Sequence, residues 1–289
     1  MIPRLAHIFR FSLVLLLGAS GAVGQETDEP QEGGLTGTGI MGILNHERAI
    51  EIEGVSVVLP ANLSVTSPLG PVTVDQLQAG DMIALQLGGT LQTPDVVAAR
   101  QVIQLLGPVT QVTDETLTVM GTQVHNLTQL SRSDIGDWVA VSGYWRADGV
   151  VATRIEIVQP RQRAHIQGTY DALSTGLGRI GGTTIRSQSE PAVDQGDVVR
   201  VTGRFGGNTI VADSVEVGHF AQDVRTVLAQ GYLSAPAPSG YYTVLGTGIS
   251  SLMSRPEMIN QQRLVTACGL DGDLVTDQTS ILGVSVLCR

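Results

Sequence analysis

The chain has 289 residues, with 27 acidic against 17 basic side chains and a formal net charge of −10. Every basic residue is arginine, which excludes Schiff-base chemistry, a cofactor-anchoring lysine and the lysine of a phosphate loop. An acidic chain with 4% aromatic residues also lacks the positive charge that neutralises phosphates and the rings that stack on single strands, so no nucleic-acid partner is expected.

Residues 1–24 read as an export signal. Arg4 and Arg10 lie in a basic leader, "FSLVLLLGASGAVG" supplies the apolar core, and Ala22 and Gly24 are small residues at a cleavage site after Gly24. The core is too short for a spanning helix, which needs ~20 apolar residues, and no later stretch is long and apolar enough, so no transmembrane span is expected after signal removal. Residues 25–35, opening "QETDEPQEGG", read as a disordered acidic lead-in.

Beyond that the chain repeats itself. "GDMIALQL" at 80–87, "GDWVAVSG" at 136–143 and "GDVVRVTG" at 196–203 share one phrase, and each is followed by a second: "VVAARQVI" (96–103), "VVATRIEI" (150–157) and "IVADSVEV" (210–217). Upstream of each Gly-Asp pair stand two short strand patterns around a glycine. Thr73, Ser131 and Ser189, with Ser254 in a later copy, are placed to cap a short helical turn; "TVDQ" and "SRPE" have capping-box form. Val, Ile and Thr alternation bounded by Gly and Asp predicts five strands with a small helix between the third and fourth, the arrangement of an OB-type barrel. The fold class expected is therefore all-β: tandem small five-stranded OB-like barrels, three clear repeats and a degenerate fourth. The repeats are placed at 36–105, 106–159, 164–217 and 226–289. In the last copy "QQRLVTACG" (261–269) stands where the third has "QGDVVRVTG", so the Gly-Asp pair is lost.

The repeated phrase reads as a corner. Gly80, Gly136 and Gly196 can take positive φ, and Asp81, Asp137 and Asp197 can hold the turn by bonding nearby N–H groups. Ile83/Leu85, Val139/Val141 and Val199/Val201 then face the core, while Ala84/Gln86, Ala140/Ser142 and Arg200/Thr202 face outward. Cys268 falls in register with Ser142 and Thr202, on the outward face. In an exported chain with two cysteines, Cys268 and Cys288 are expected to form a disulfide that staples the last strand. One loop of about 20 residues closed in this way contributes ~3 kcal/mol by the chain-entropy argument.

The run of hairpin, "L-x-x-G-D-x-V-x-V-x-G" and "V-V-A-x-x-I" resembles the bacterial domain of unknown function 5666. The resemblance covers roughly residues 36–217 and implies an exported protein bearing OB-like barrel repeats. It brings no catalytic residues to transfer.

Candidate sites are few. Tyr144, Trp145 and Arg146 in "SGYWRADG" (142–149) approach the hairpin between the fourth and fifth strands, a loop that helps bind ligands in OB folds; Arg204 and Phe205 are their counterparts in the third repeat. Together these five are the candidate ligand- or partner-binding residues, with packing between repeats as the competing role. His46, His125, His165 and His219 lack metal-ligand spacing. "GLDGDLVTD" (269–277) reads as a hairpin turn rather than a calcium loop, and no nucleophile motif or dinucleotide fingerprint occurs. No catalytic residues, metal or cofactor are expected. Short strands and few aromatics argue against an outer-membrane barrel. The function expected is a non-enzymatic binding or scaffold module in the periplasm or at the cell surface, its partner an envelope protein or a glycan. The alternative is a small-ligand or glycan binder that uses the aromatic hairpin.

Overall fold

Short runs of Val, Ile, Leu and Thr punctuated by Gly and Asp favour strands bounded by tight turns. The computed structural model is all-β apart from one 3-10 turn among the residues it describes, which are 37–88, 94–125, 133–187, 192–220, 224–252 and 260–275. The export signal, the acidic lead-in, Ser131, Ser189, "SRPE" and Cys288 lie outside the described residues.

The first segment forms β1 (Gly37–Ile43), β2 (Ala49–Ile52), β3 (Val55–Val58), β4 (Ser64–Thr66), β5 (Val72–Thr73), β6 (Met82–Leu87) and β7 (Val96–Val102). β1 pairs with β6, β6 with β7, and β7 runs parallel to β4. The β2–β3 hairpin is tied to β1 by the Leu44–Ile50 bridge. The expected third strand is split into β3 and β4, and Pro60, which has no N–H to donate, lies in the break. The expected helical connector is the 3-10 turn Val74–Gln76, where the Gln76 side chain accepts the Thr73 N–H at 2.8 Å, half of a reciprocal cap.

The second segment closes on itself. It contains β8 (Leu105–Val112), β9 (Leu117–Val119), β10 (Thr122–His125), β11 (Trp138–Arg146) and β12 (Gly149–Val158). β8 pairs with β9, β9 with β10, β10 runs parallel to β12, β12 pairs with β11, and β11 returns to β8. This ring of five strands, in the order first, second, third, fifth, fourth, is an OB-type barrel.

The third segment has the same order. β13 (Ala164–Thr169) and β14 (Asp171–Ser174) are one strand bent at Tyr170, followed by β15 (Leu177–Ile180), β16 (Thr183–Arg186), β17 (Val198–Gly206) and β18 (Thr209–Val217). β14 pairs with β15, β15 with β16, β16 runs parallel to β18, and β17 lies between β18 and β13. In the last segment β19 (Val224–Tyr232) pairs with β22 (Leu264–Leu270), β22 with β23 (Asp273–Leu274), and β23 with β21 (Ile249–Leu252), which is hairpinned to β20 (Tyr241–Val244).

The segments are fused through their first strands. β1 runs parallel to β19, and β8 pairs antiparallel with β13, giving one sheet of ten strands and one of eleven. This fusion corrects one expectation. Ala84, Gln86, Ala140, Ser142 and Arg200, read as outward-facing, are all buried, because the outer face of one barrel is covered by its neighbours. Cys268 is corrected for the same reason: it is buried with Ile40 and Leu228 in the apolar cluster centred on the first segment.

Candidate functional site

The Gly-Asp corners have one geometry in three places. Gly80, Gly136 and Gly196 have φ of 95°, 98° and 94°, values that a Cβ disfavours. Their N–H groups donate to the carbonyls of Leu44, Val109 and Tyr170, and those three residues donate back to the carbonyls of Asp81, Asp137 and Asp197. Each Asp carboxylate accepts the N–H three residues earlier, from Gln78, Asp134 and Asp194, at 2.8 Å. The phrase thus clamps the start of the fourth strand to the bend of the first. Its closing glycine has a second duty. β11 and β17 shift register at Gly143 and Gly203, and a Cβ there would collide with the carbonyl oxygens of Val151 and Val211, as at bulges where backbones approach closely.

The first corner does more than turn the chain. The Gly80 carbonyl accepts the Thr153 hydroxyl at 2.7 Å, Gln78 accepts from Arg154 at 2.9 Å, and Arg154 Nε pairs with Asp81 at 3.0 Å. Burial raises the pKa of Asp81, while the Gln78 N–H and the Arg154 guanidinium pull it down. The corner of the first barrel is therefore docked on β12 of the second. A Cβ on Gly136 or Gly196 would meet nothing within 4 Å.

The aromatic hairpin is turned inward. Trp145 is 5% exposed and Tyr144 8%, so neither presents a ring to a ligand in solution, and both take the packing role weighed against binding in the sequence. The Trp145 ring lies against Gly168, Gly181 and Gly246, where an added Cβ would come within 2.7, 2.6 and 2.5 Å of it. Its N–H donates to the Gln167 carbonyl at 2.7 Å and to Gln104 Oε1 at 2.9 Å. Tyr144, on the opposite strand face, packs edge-on to Tyr232 with centroids 6.5 Å apart and donates to Gln230 at 3.0 Å. Arg146 is held by Asp148 at 2.5 Å. Phe205 joins the apolar cluster that contains Trp145, whereas Arg204 is exposed, so the five residues do not form one surface.

Around Trp145 lies a buried polar junction that no motif announces. Gln104 donates to the Gly143 carbonyl at 2.9 Å. Gln167 Nε2 donates to His219 Nδ1 at 2.5 Å, and His219 Nε2 donates to the Gly246 carbonyl at 2.7 Å. That pattern fixes a neutral imidazole, and burial pulls the His219 pKa down to about 4. His165 contacts the Thr202 hydroxyl at 3.1 Å through Nδ1; burial, with Arg200 and Arg100 nearby, lowers its pKa to about 3. Arg200 reaches Glu216 at 2.6 Å. The only sequence signal for this junction is a set of polar residues at alternate, outward positions of β13 and β17.

His46 is exposed, and His125 lies 3.5 Å from Asp148. Asp271 and Gly272 take φ of 51° and 85°, the two positive values of a tight hairpin turn, and Asp271 pairs with Arg225 at 3.0 Å. Among the described residues no group of three or more His, Cys, Asp or Glu is placed to hold a metal, and no helix is long and apolar enough to cross a membrane. A polar cleft of about 190 Å³ opens between the third corner, at Asp197, and the turns carrying Tyr241 and Asp273. It is smaller than the ~300 Å³ at which small-molecule pockets begin.

The ring order places the second segment among OB-type barrels, and one family model matches within that segment. Residues 107–156 match the family described as "Domain of unknown function (DUF5666)", a stretch that runs from β8 into β12. No curated protein and no solved structure matches the chain.

Proposed function

We propose that the chain is a non-enzymatic, exported module of the bacterial cell envelope that acts by binding or scaffolding. The observation that carries the binding or scaffolding part of this reading is the burial of the aromatic hairpin: Tyr144 and Trp145 join barrels, so the segments form a composite body whose outer loops and edges are its working surface. The titratable groups support the same reading. The three corner Asp residues each hold their own turn, and His165 and His219 are buried and neutral. Export rests on the leader at residues 1–24, and the periplasm or cell surface is its destination.

Two measurements test this. The intact mass of protein recovered from an envelope fraction should start at Gln25; a cytosolic chain retaining Met1 overturns export. A panel of esterase, glycosidase, peptidase and phosphatase substrates should show no turnover; saturable turnover overturns the non-enzymatic role.

A second reading takes the cleft, below the size of ordinary small-molecule pockets, as a shallow site for one sugar ring. Tyr241 is 44% exposed beside Asp273 and the corner of Asp197, a ring and polar groups suited to a sugar or another small polar ligand. The glycan-binding alternative moves here from the aromatic hairpin. Glycan-array binding lost in Tyr241→Ala supports it, and an array without signal removes it.

A further inference from the structure

The buried junction contains positive charge without matching partners. Arg200 is 8% exposed and His165 5%. Both project from the outer face of paired strands β13 and β17, where His165 sits opposite Thr202 and Gln167 opposite Arg200. Arg100 comes from β7 of the first segment, half-buried, and near enough that its charge acts on His165 and His219 and is itself opposed by Arg200. Four buried atoms of this junction have no hydrogen-bond partner among the described residues: three nitrogens, Arg100 Nε, Arg200 Nη1 and His165 Nε2, and one acceptor, Gln167 Oε1.

The charge does not balance. Arg200 Nη2 is paired with Glu216 at 2.6 Å, and Glu216 also acts on Arg100. Asp213, the other carboxylate of β18, is held by Arg163 at 2.6 Å. With His165 and His219 neutral, two guanidiniums face one carboxylate among the described residues. Guanidinium groups are almost never buried unless paired, and an unpaired buried charge is strongly destabilising. His165 can donate as well: when the Thr202 hydroxyl donates to Nδ1, the ring proton sits on Nε2, which is buried and has no hydrogen-bond partner among the described residues.

We propose that Arg100, Arg200 and His165 form a binding site for a small tetrahedral oxyanion, the chemistry shared by phosphate and sulfate. Two guanidinium forks and one imidazole N–H match the several acceptor oxygens of such an ion, and one or two negative charges offset the excess. Arg100 is half-buried and the Glu216 side chain largely exposed, so these two residues mark the solvent side of the cluster. The site bonds the first barrel to the third, so the ion would act as a polar rivet in an otherwise acidic protein.

Isothermal titration of the full mature chain with sodium phosphate and with sodium sulfate, at pH 7 and constant ionic strength, tests this, with sodium chloride as the control. The expected result is one saturable site for at least one oxyanion, none for chloride, and a thermal midpoint that rises with oxyanion concentration. Arg100→Gln and Arg200→Gln should each weaken binding at least tenfold; if Arg200→Gln fails to fold, Arg100→Gln, which alters a half-buried residue, decides. Absence of saturable heat with both oxyanions, as a cluster solvated only by water would give, overturns the proposal. Equal affinity in wild type and the folded variants overturns it as well.

Discussion

The Asp137 carboxylate accepts the Asp134 backbone N–H at 2.8 Å, and Asp81 makes the same bond to Gln78 but adds an ion pair with Arg154 at 3.0 Å. One turn device thus occurs once as a turn alone and once as a turn plus a contact between barrels. Asp137→Ala should cost about 1–2 kcal/mol, the range for losing a charge-assisted bond at a turn. Asp81→Ala should cost about 2–4 kcal/mol, because it also removes the largely buried ion pair between barrels and leaves Arg154 only Gln78 and the more exposed Glu156. Urea unfolding of both variants checks this, and equal losses would contradict the docking role of the first corner.

The two buried imidazoles make stability depend on pH. The unfolded chain binds protons on His165 and His219 below about pH 6.5, whereas their folded pKa values are about 3 and about 4. Stability should therefore be full above pH 6.5 and decline as pH falls toward 4, by roughly several kcal/mol for the two together. Arg100 and Arg200, which face both rings, reinforce the effect by opposing protonation. Unfolding curves at fixed steps between pH 7.5 and 4.5 measure it, and His219→Gln should flatten the slope; a flat wild-type profile would contradict the neutral assignment.

Cys268 is buried beside Leu228, and its expected partner, Cys288, lies near the chain's end. The protein recovered from an oxidising compartment should yield no titratable thiol until it is unfolded and reduced, and reduction should lower stability by ~3 kcal/mol. Two thiols titrated in the unfolded, unreduced protein would remove the staple.

What the sequence revealed divides along the range of the physics involved. The corners are readable because Gly136 supplies its own positive φ and the Asp137 carboxylate bonds an N–H three residues earlier; the clamp to Val109 is not, because its partner lies far along the chain. The ring order of residues 105–158 is readable because alternation assigns Val139 and Val141 to a core. The junction is not readable. Alternation puts Arg200, Ser142 and Cys268 on the face opposite the core, but says nothing of what covers that face, which is decided by the pairing of β1 with β19 and β8 with β13. Packing between repeats is a readable role for Trp145, but its partners are not readable, because Gly168, Gly181 and Gly246 come from distant parts of the chain.

The central claim is that Trp145 holds barrels together rather than binding a ligand. The melting temperature of Trp145→Ala, measured beside Trp145→Phe, tests it most directly. The loss of a ring packed on three segments should cost about 3–5 kcal/mol and lower Tm by roughly 10 °C for a chain of this size. Phenylalanine should restore most of the packing but not the bond to Gln167. A Tm unchanged in the alanine variant, together with lost binding to an envelope glycan or protein, would contradict the account.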